Sequence, residues 1–72
     1  MQKRTRLIEV PANTRLFRSR DQHYVTFKAA FRIEAVPSKT RGMTSGYSFE
    51  RNGEHYYVHA ASVRWIPREG EF

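Results

Sequence analysis

The chain has 72 residues, no cysteine and a formal net charge of +6, which predicts one small domain, residues 1–72, without disulfides or thiolate metal sites. Hydrophobic residues make up 39% and aromatic residues 14% of the chain, a composition typical of a folded protein rather than a disordered one. No apolar run approaches the ~18 residues of a membrane span, and none follows the N-terminus as in a signal peptide. We therefore expect a monomeric cytoplasmic protein with no membrane partner.

The basic residues are concentrated at the N-terminal end. Residues 1–20 hold six basic residues and one acidic residue, a net charge of +5, whereas residues 21–72 hold seven basic and six acidic residues, a net charge of +1. The six N-terminal cations are Lys3, Arg4, Arg6, Arg15, Arg18 and Arg20. Arginine forms forked contacts with phosphate or carboxylate. These residues are therefore candidate contacts for a nucleic acid or an acidic protein, the alternative being a solubilising surface.

The first part of the chain predicts two short extended segments. Residues 4–10 form a predicted strand that residues 11–13, with their proline, interrupt. Residues 14–18 form a second extended piece, and residues 19–22 are a polar loop. The apolar residues of these two segments are Leu7, Ile8, Val10, Leu16 and Phe17.

A long alternation of apolar and polar residues follows. Its apolar face carries Val25, Phe27, Ala29, Phe31, Ile33 and Ala35. A period of two predicts a strand, and its length predicts a bend or bulge near Ala29 and Ala30. Residues 37–42 include proline, glycine, lysine and arginine and predict a basic, flexible loop.

The strongest local signal is the pair Asn52-Gly53, because both central residues of a type I′ turn need a positive φ. A two-residue turn sets the register of the hairpin. The predicted cross-strand pairs are Arg51 with Glu54, Phe49 with Tyr56, and Tyr47 with Val58. These side chains share one mainly apolar face. A short link, residues 59–62, then precedes a last predicted strand, residues 63–66, and residues 68–72 are expected to be a frayed tail.

This C-terminal third resembles SH3-like barrels, bacterial SH3 domains in particular. In those domains a strand with the pattern G-x-x-x-Y-V is followed by a 3₁₀ turn and a V-x-x-I strand. The matching residues are Gly53, Tyr57, Val58, Val63 and Ile66. With little room for helix, the chain is expected to form an all-β, small, mainly antiparallel SH3-like barrel. The alternative is an open four-stranded sheet covered by the N-terminal segment.

Catalytic signals are few. His55 and His59 lie four residues apart on a predicted strand, which separates them by about 13 Å, too far to share a metal ion. His23 belongs to another element, and no nucleophile or glycine-rich phosphate loop stands in a recognisable setting. We therefore expect a protein that is not an enzyme and needs no cofactor or metal.

Aromatic side chains are the remaining candidates for binding. Tyr24 and Tyr57 fall on the polar sides of their predicted strands, where each could stack on a base or anchor a partner protein. For both tyrosines the alternative is ordinary amphipathic packing at an edge. Trp65, in the last predicted strand, could bind in the same way, but we expect it to belong to the core.

Two classes of function follow. The chain is similar in size, charge and absence of catalytic residues to the small RNA polymerase-binding transcription regulators of lytic Xanthomonas phages. That resemblance implies binding to a bacterial RNA polymerase subunit in the host cytoplasm, inhibition of initiation by σ displacement, and suppression of termination. The alternative is a basic β-barrel that binds RNA or DNA, with the arginines on phosphates and Tyr24 or Tyr57 stacking on bases.

Overall fold

The computed structural model describes residues 5–67 as seven β-strands and one 3₁₀ turn. The strands are β1 (Arg6–Val10), β2 (Leu16–Arg18), β3 (His23–Val25), β4 (Phe31–Thr40), β5 (Met43–Arg51), β6 (Glu54–His59) and β7 (Arg64–Trp65), and the 3₁₀ turn is Ala60–Ser62. All neighbouring strands are antiparallel, in the order β3-β2-β6-β5-β4-β1-β7. The sheet curls into a half-barrel. The predicted all-β, antiparallel, barrel-like class is confirmed, with seven strands rather than the four of the alternative.

The hairpin at Asn52-Gly53 has the predicted register. Phe49 faces Tyr56, and the pairs on either side of it also match the prediction. Asn52 and Gly53 have φ values of 53° and 80°, as a type I′ turn requires. The residue types at the turn and the alternation of side chains thus both predict this hairpin, which forms the middle of the sheet.

The core lies on the inner face of the curled sheet. Its buried residues are Ile8, Val10, Leu16, Ala35, Tyr47, Phe49, Tyr56 and Val58. The ring centroids of Phe49 and Tyr56 lie 5.6 Å apart, and Phe31 meets Phe49 edge-on at 6.0 Å. Leu7 is only half-buried, because successive residues of β1 point to opposite faces and Ile8 already points inward.

The alternation over residues 24–35 does not form one strand, so that prediction is wrong, whereas the bend predicted near Ala29 is confirmed. Residues 23–25 form β3, the chain bends at residues 28–29, and β4 begins at Phe31. β3 ends the sheet beside β2, whereas β4 lies between β5 and β1. The segment between them must cross from one part of the sheet to another. A backbone hydrogen bond from Asn13 N to Phe27 O, 2.8 Å long, holds this crossing segment.

The predicted loop at residues 37–42 is also wrong. β4 continues through Pro37 to Thr40, and Arg41 and Gly42 alone form the turn, with φ values of 55° and 81°. β1 pairs with β4 only as far as Ala35. Among residues 5–67, no strand pairs with this edge of β4 beyond that point, and a proline without an N–H is tolerated there.

The C-terminal link forms its 3₁₀ turn at Ala60–Ser62, close to the predicted position, and β7 pairs with β1. The predictions for Lys3, Arg4 and the tail at residues 68–72 lie outside the described residues. No helix within residues 5–67 has the length and apolar character to cross a membrane.

Candidate binding surface

Three aromatic side chains form a row across the outer face of the sheet. Phe17 in β2 is the direct cross-strand partner of Tyr24 in β3 and of Tyr57 in β6. Their sequence neighbours Leu16 and Tyr56 are buried, so alternation places the row on the face opposite the core. Tyr24 is 56% exposed, and its ring meets Phe17 edge-on at 5.5 Å.

Arg15 completes this surface. Its guanidinium carbon lies 4.4 Å from the centroid of the Tyr24 ring, within the range of a cation–π contact. Tyr57 extends the surface toward His59, whose ring lies 5.8 Å away. We call Arg15, Phe17, Tyr24 and Tyr57 the aromatic face. Sequence analysis did not single out Phe17, although two adjacent apolar residues in a strand, Leu16 and Phe17, cannot both point inward.

Arg18 does not present a free charge to this surface. Its guanidinium donates two hydrogen bonds to Asp21, from Nε to Oδ1 at 3.0 Å and from Nη2 to Oδ2 at 2.7 Å. These bonds lower the pKa of the Asp21 carboxyl to about 2 and raise the pKa of Arg18. The forked pair spans the β2–β3 turn, so its local role is structural.

Arg20 is also neutralised within the chain. Its Nη1 lies 2.8 Å from Oε2 of Glu54, next to the Asn52-Gly53 turn. Toward the other end of the sheet, Glu9 in β1 forms ion pairs with Arg32, at 3.3 Å, and with Arg64, at 3.4 Å. Four of the arginines in the described part of the chain are therefore ion-paired to its own carboxylates.

Arg6 lies apart from the other predicted contacts. It belongs to β1, and its guanidinium carbon lies 4.7 Å from the centroid of the Trp65 ring. Its Nη1 donates a hydrogen bond to Thr44 Oγ1 at 3.2 Å. Trp65 is 36% exposed, so its predicted place in the core is wrong. In the sheet formed by residues 5–67, β7 is a two-residue edge strand that pairs with β1 on one side only.

The predicted site residues do not form one surface. Arg15, Tyr24 and Tyr57 belong to the aromatic face. Arg18 follows Phe17 in β2 and therefore points to the opposite face, and both Arg18 and Arg20 are held in ion pairs. Arg6 is separated from them because β5 and β4 lie between β6 and β1 in the sheet. The structure thus brings one predicted cation, Arg15, together with the two predicted tyrosines.

A shallow hollow of about 250 Å³ adjoins the aromatic face, lined by Val36, Ser48, Phe49, Glu50 and His55. Ser48 is the cross-strand partner of Tyr57, so the hollow continues the same outer surface. Within residues 5–67, no group of three or more histidine or acidic side chains is placed to hold a metal ion.

Comparison of the chain with protein-family models, with curated proteins and with solved structures gave no match.

Proposed function

We propose that this protein is a non-catalytic regulator that docks on a protein through its aromatic face. The observation that carries the proposal is the row of Tyr24, Phe17 and Tyr57 with Arg15 on its exposed end. Tyrosine and arginine are enriched among the residues that dominate protein interfaces. Tyr24 offers a large exposed ring that its contacts with Arg15 and Phe17 already orient, which reduces the entropy lost on binding.

The charge distribution around this face favours a protein partner over a phosphate backbone. Proteins that track single strands combine stacking rings with a groove of free cations. Here Arg15 is the cation that contacts the rings, whereas Arg18 and Arg20 are already paired with Asp21 and Glu54. An aromatic patch with few free cations matches the centre of a protein interface better than a groove that tracks phosphates.

The identity of the partner in this proposal comes from the resemblance to small phage regulators. It implies that the partner is a subunit of bacterial RNA polymerase, and that binding inhibits initiation by displacing σ and suppresses termination. The proposed structural class is an SH3-like barrel, which rests on the match at Gly53, Tyr57, Val58, Val63 and Ile66. The observed sequence of hairpin, 3₁₀ turn and short final strand supports that assignment.

A second candidate function is the binding of single-stranded nucleic acid. The observation that favours it is the same row, because three aromatic side chains on adjacent strands can each support one base. In that case Arg15 would contact phosphate, and the strength of binding would come from stacking more than from charge.

Affinity capture from bacterial lysate, with and without nuclease, separates the two candidates. A nuclease-resistant RNA polymerase band supports the regulator, and loss of every partner on nuclease treatment supports the second candidate. The variants Arg15→Glu and Tyr24→Ala should each lose the polymerase band. Lys28→Glu is the matched control, because Lys28 is also exposed and makes no ion pair with a described carboxylate. Equal capture by Arg15→Glu and the parent would refute docking through the aromatic face.

A further inference from the structure

Within residues 5–67, the hairpin of β4 and β5 extends beyond the other strands as a two-stranded arm. β1 pairs with β4 only up to Ala35, and β6 pairs with β5 only down to Gly46. Residues 39–45 therefore pair with each other and with no third described strand. We call these residues the arm.

The arm is held in one shape by contacts at its base. The register shifts between Ser38 and Lys39, and a bulge of this kind increases the local twist. Ser45 Oγ donates to Ser38 O at 3.2 Å and accepts a hydrogen bond from Thr40 Oγ1 at 3.3 Å. Thr44 receives the hydrogen bond from Arg6, which links the arm to β1. The arm is thus a positioned element and not a loose loop.

The charge of the arm is not neutralised. Lys39 and Arg41 are exposed, and neither makes an ion pair with a carboxylate within residues 5–67. The sequence from Ala35 to Phe49 contains no acidic residue. Elsewhere in the chain, Arg18, Arg20, Arg32 and Arg64 have intramolecular carboxylate partners. The arm therefore concentrates cations that remain available for an external anion.

An exposed apolar side chain stands at the tip of the arm. Met43 is 75% exposed and follows directly after the Arg41-Gly42 turn. The packing of residues 5–67 does not explain why a methionine is exposed at this position. Apolar side chains on elements that enter the major groove contact the methyl groups of thymine.

From these observations we infer that the arm is a contact element for double-stranded DNA. A two-stranded β-ribbon fits the major groove of B-DNA, which is about 12 Å wide. Lys39 and Arg41 would contact phosphates on either side of the groove, and Met43 would reach the base edges. The major groove of A-form RNA is too deep and narrow for such an element. This inference is independent of the proposed docking through the aromatic face.

Titration of a fluorescent duplex DNA of about 20 base pairs, at several salt concentrations, tests the inference. The double variant Lys39→Gln/Arg41→Gln should bind at least about tenfold more weakly at low salt, and its log K–log[salt] slope should be shallower by about 2. Met43→Ala should weaken binding without changing that slope. The charge-matched control is Lys28→Gln/Arg64→Gln, which removes two exposed cations outside both the arm and the aromatic face and should lose less than about threefold.

Three results would overturn the inference: no binding of the parent to duplex DNA, equal losses in the arm variant and the control, or tighter binding to duplex RNA than to duplex DNA. All the substitutions are at exposed positions, and circular dichroism with thermal unfolding confirms that each variant is folded. The arm variant should keep its RNA polymerase capture. The Tyr24→Ala variant should keep its duplex binding, so failure of the aromatic-face proposal and failure of this one give different patterns.

Discussion

The ring of Tyr57 occupies the space that a side chain at position 46 would need. A Cβ atom built on Gly46 would lie 2.6 Å from Tyr57 Cζ and 2.6 Å from the backbone carbonyl oxygen of Val58, closer than real Cβ atoms approach such neighbours. Gly46 is in β5, diagonally across from Tyr57 in β6. A glycine in a strand that is covered by a neighbouring aromatic ring holds that ring flat on the sheet, and here it positions one member of the aromatic face.

Gly46→Ala should therefore destabilise the protein, by about 1–3 kcal/mol as for other overpacked sites. Denaturant unfolding of Gly46→Ala, Tyr57→Ala and the double variant measures how much of this loss passes through the ring. The double variant should recover part of the loss but not all of it, since the Val58 carbonyl is backbone and remains in place. A Gly46→Ala protein as stable as the parent would contradict this description of the pair.

Phe49 is the core position whose truncation should cost most. Its ring is 6% exposed and contacts the rings of Tyr56 and Phe31. Phe49→Ala should cost about 3–5 kcal/mol, which approaches the roughly 5 kcal/mol at the lower end for small domains. The variant should be largely unfolded by near-ultraviolet circular dichroism. Phe17→Ala removes a half-buried ring from the opposite face and should reduce the free energy of unfolding clearly less. A similar loss in both variants would contradict the assignment of the core to the Phe49 face.

The two hairpins show which parts of the fold local sequence determines. Asn52-Gly53 predicts its own turn and register because both residues adopt a positive φ easily. The Arg41-Gly42 turn has the same geometry, but arginine at φ 55° is uncommon and Pro37 suggested a break. Whether that proline is tolerated depends on where β1 stops pairing with β4, which is a long-range property. The interruption of the alternating segment after β3 likewise depends on the order of the strands, which is a long-range property.

For a related reason, only part of the aromatic face could be predicted from the sequence. Alternation along each strand places Tyr24 and Tyr57 outward, but only the strand order brings them to either side of Phe17. The ion pair of Arg20 with Glu54 joins residues 34 positions apart, so sequence gave no indication that this charge is neutralised. Reversing Arg18 and Arg20 to glutamate would therefore remove two ion pairs. Reversal would place like charges beside Asp21 and Glu54.

The Arg18–Asp21 pair predicts a specific acid dependence. Its hydrogen bonds lower the pKa of Asp21 from 3.8 to about 2, so the folded state favours the charged carboxylate more than the unfolded state does. The stability that the pair contributes is present above about pH 4, and it is lost as the pH falls from 3.8 to about 2.

NMR titration of the Asp21 carboxyl carbon measures this pKa directly. In the parent it should be close to 2, and in Arg18→Gln it should return toward 3.8. The control is Arg20→Gln, which breaks the ion pair with Glu54 and should leave the titration of Asp21 unchanged. An Asp21 pKa near 3.8 in the parent would show that the forked pair does not persist in solution.

Trp65 is the only tryptophan, so its fluorescence reports on the contact with Arg6. Removing the guanidinium 4.7 Å from the ring centroid should expose more of the indole. Arg6→Ala should therefore shift the emission to longer wavelength and increase quenching by acrylamide, with a stability loss of about 1 kcal/mol or less. Arg64→Ala is the control, since Arg64 is paired with Glu9. Identical spectra for the parent and Arg6→Ala would exclude the contact.

Salt dependence distinguishes the two candidate partners of the aromatic face. Single-stranded nucleic acid releases counterions on binding, so log K should fall with log[salt] by about 0.7 for each phosphate neutralised. A protein interface with an aromatic centre and a charged rim should lose mainly association rate and far less affinity. Arg15 is the free cation of this face, because Arg18 and Arg20 are already paired. Binding of the aromatic face to a protein should therefore release few counterions.

Titrations against purified bacterial RNA polymerase core and against single-stranded DNA and RNA, from about 50 to 200 mM salt, make the comparison. We expect polymerase binding to weaken less than tenfold over this range and to be lost in Tyr24→Ala, because the ring supplies the apolar contact. Arg15→Glu should slow association as well as weaken binding, since a rim charge steers the encounter. Binding to free single strands that stays sub-micromolar at the highest salt, with no measurable binding to polymerase, would instead establish the nucleic-acid function and reject the regulator.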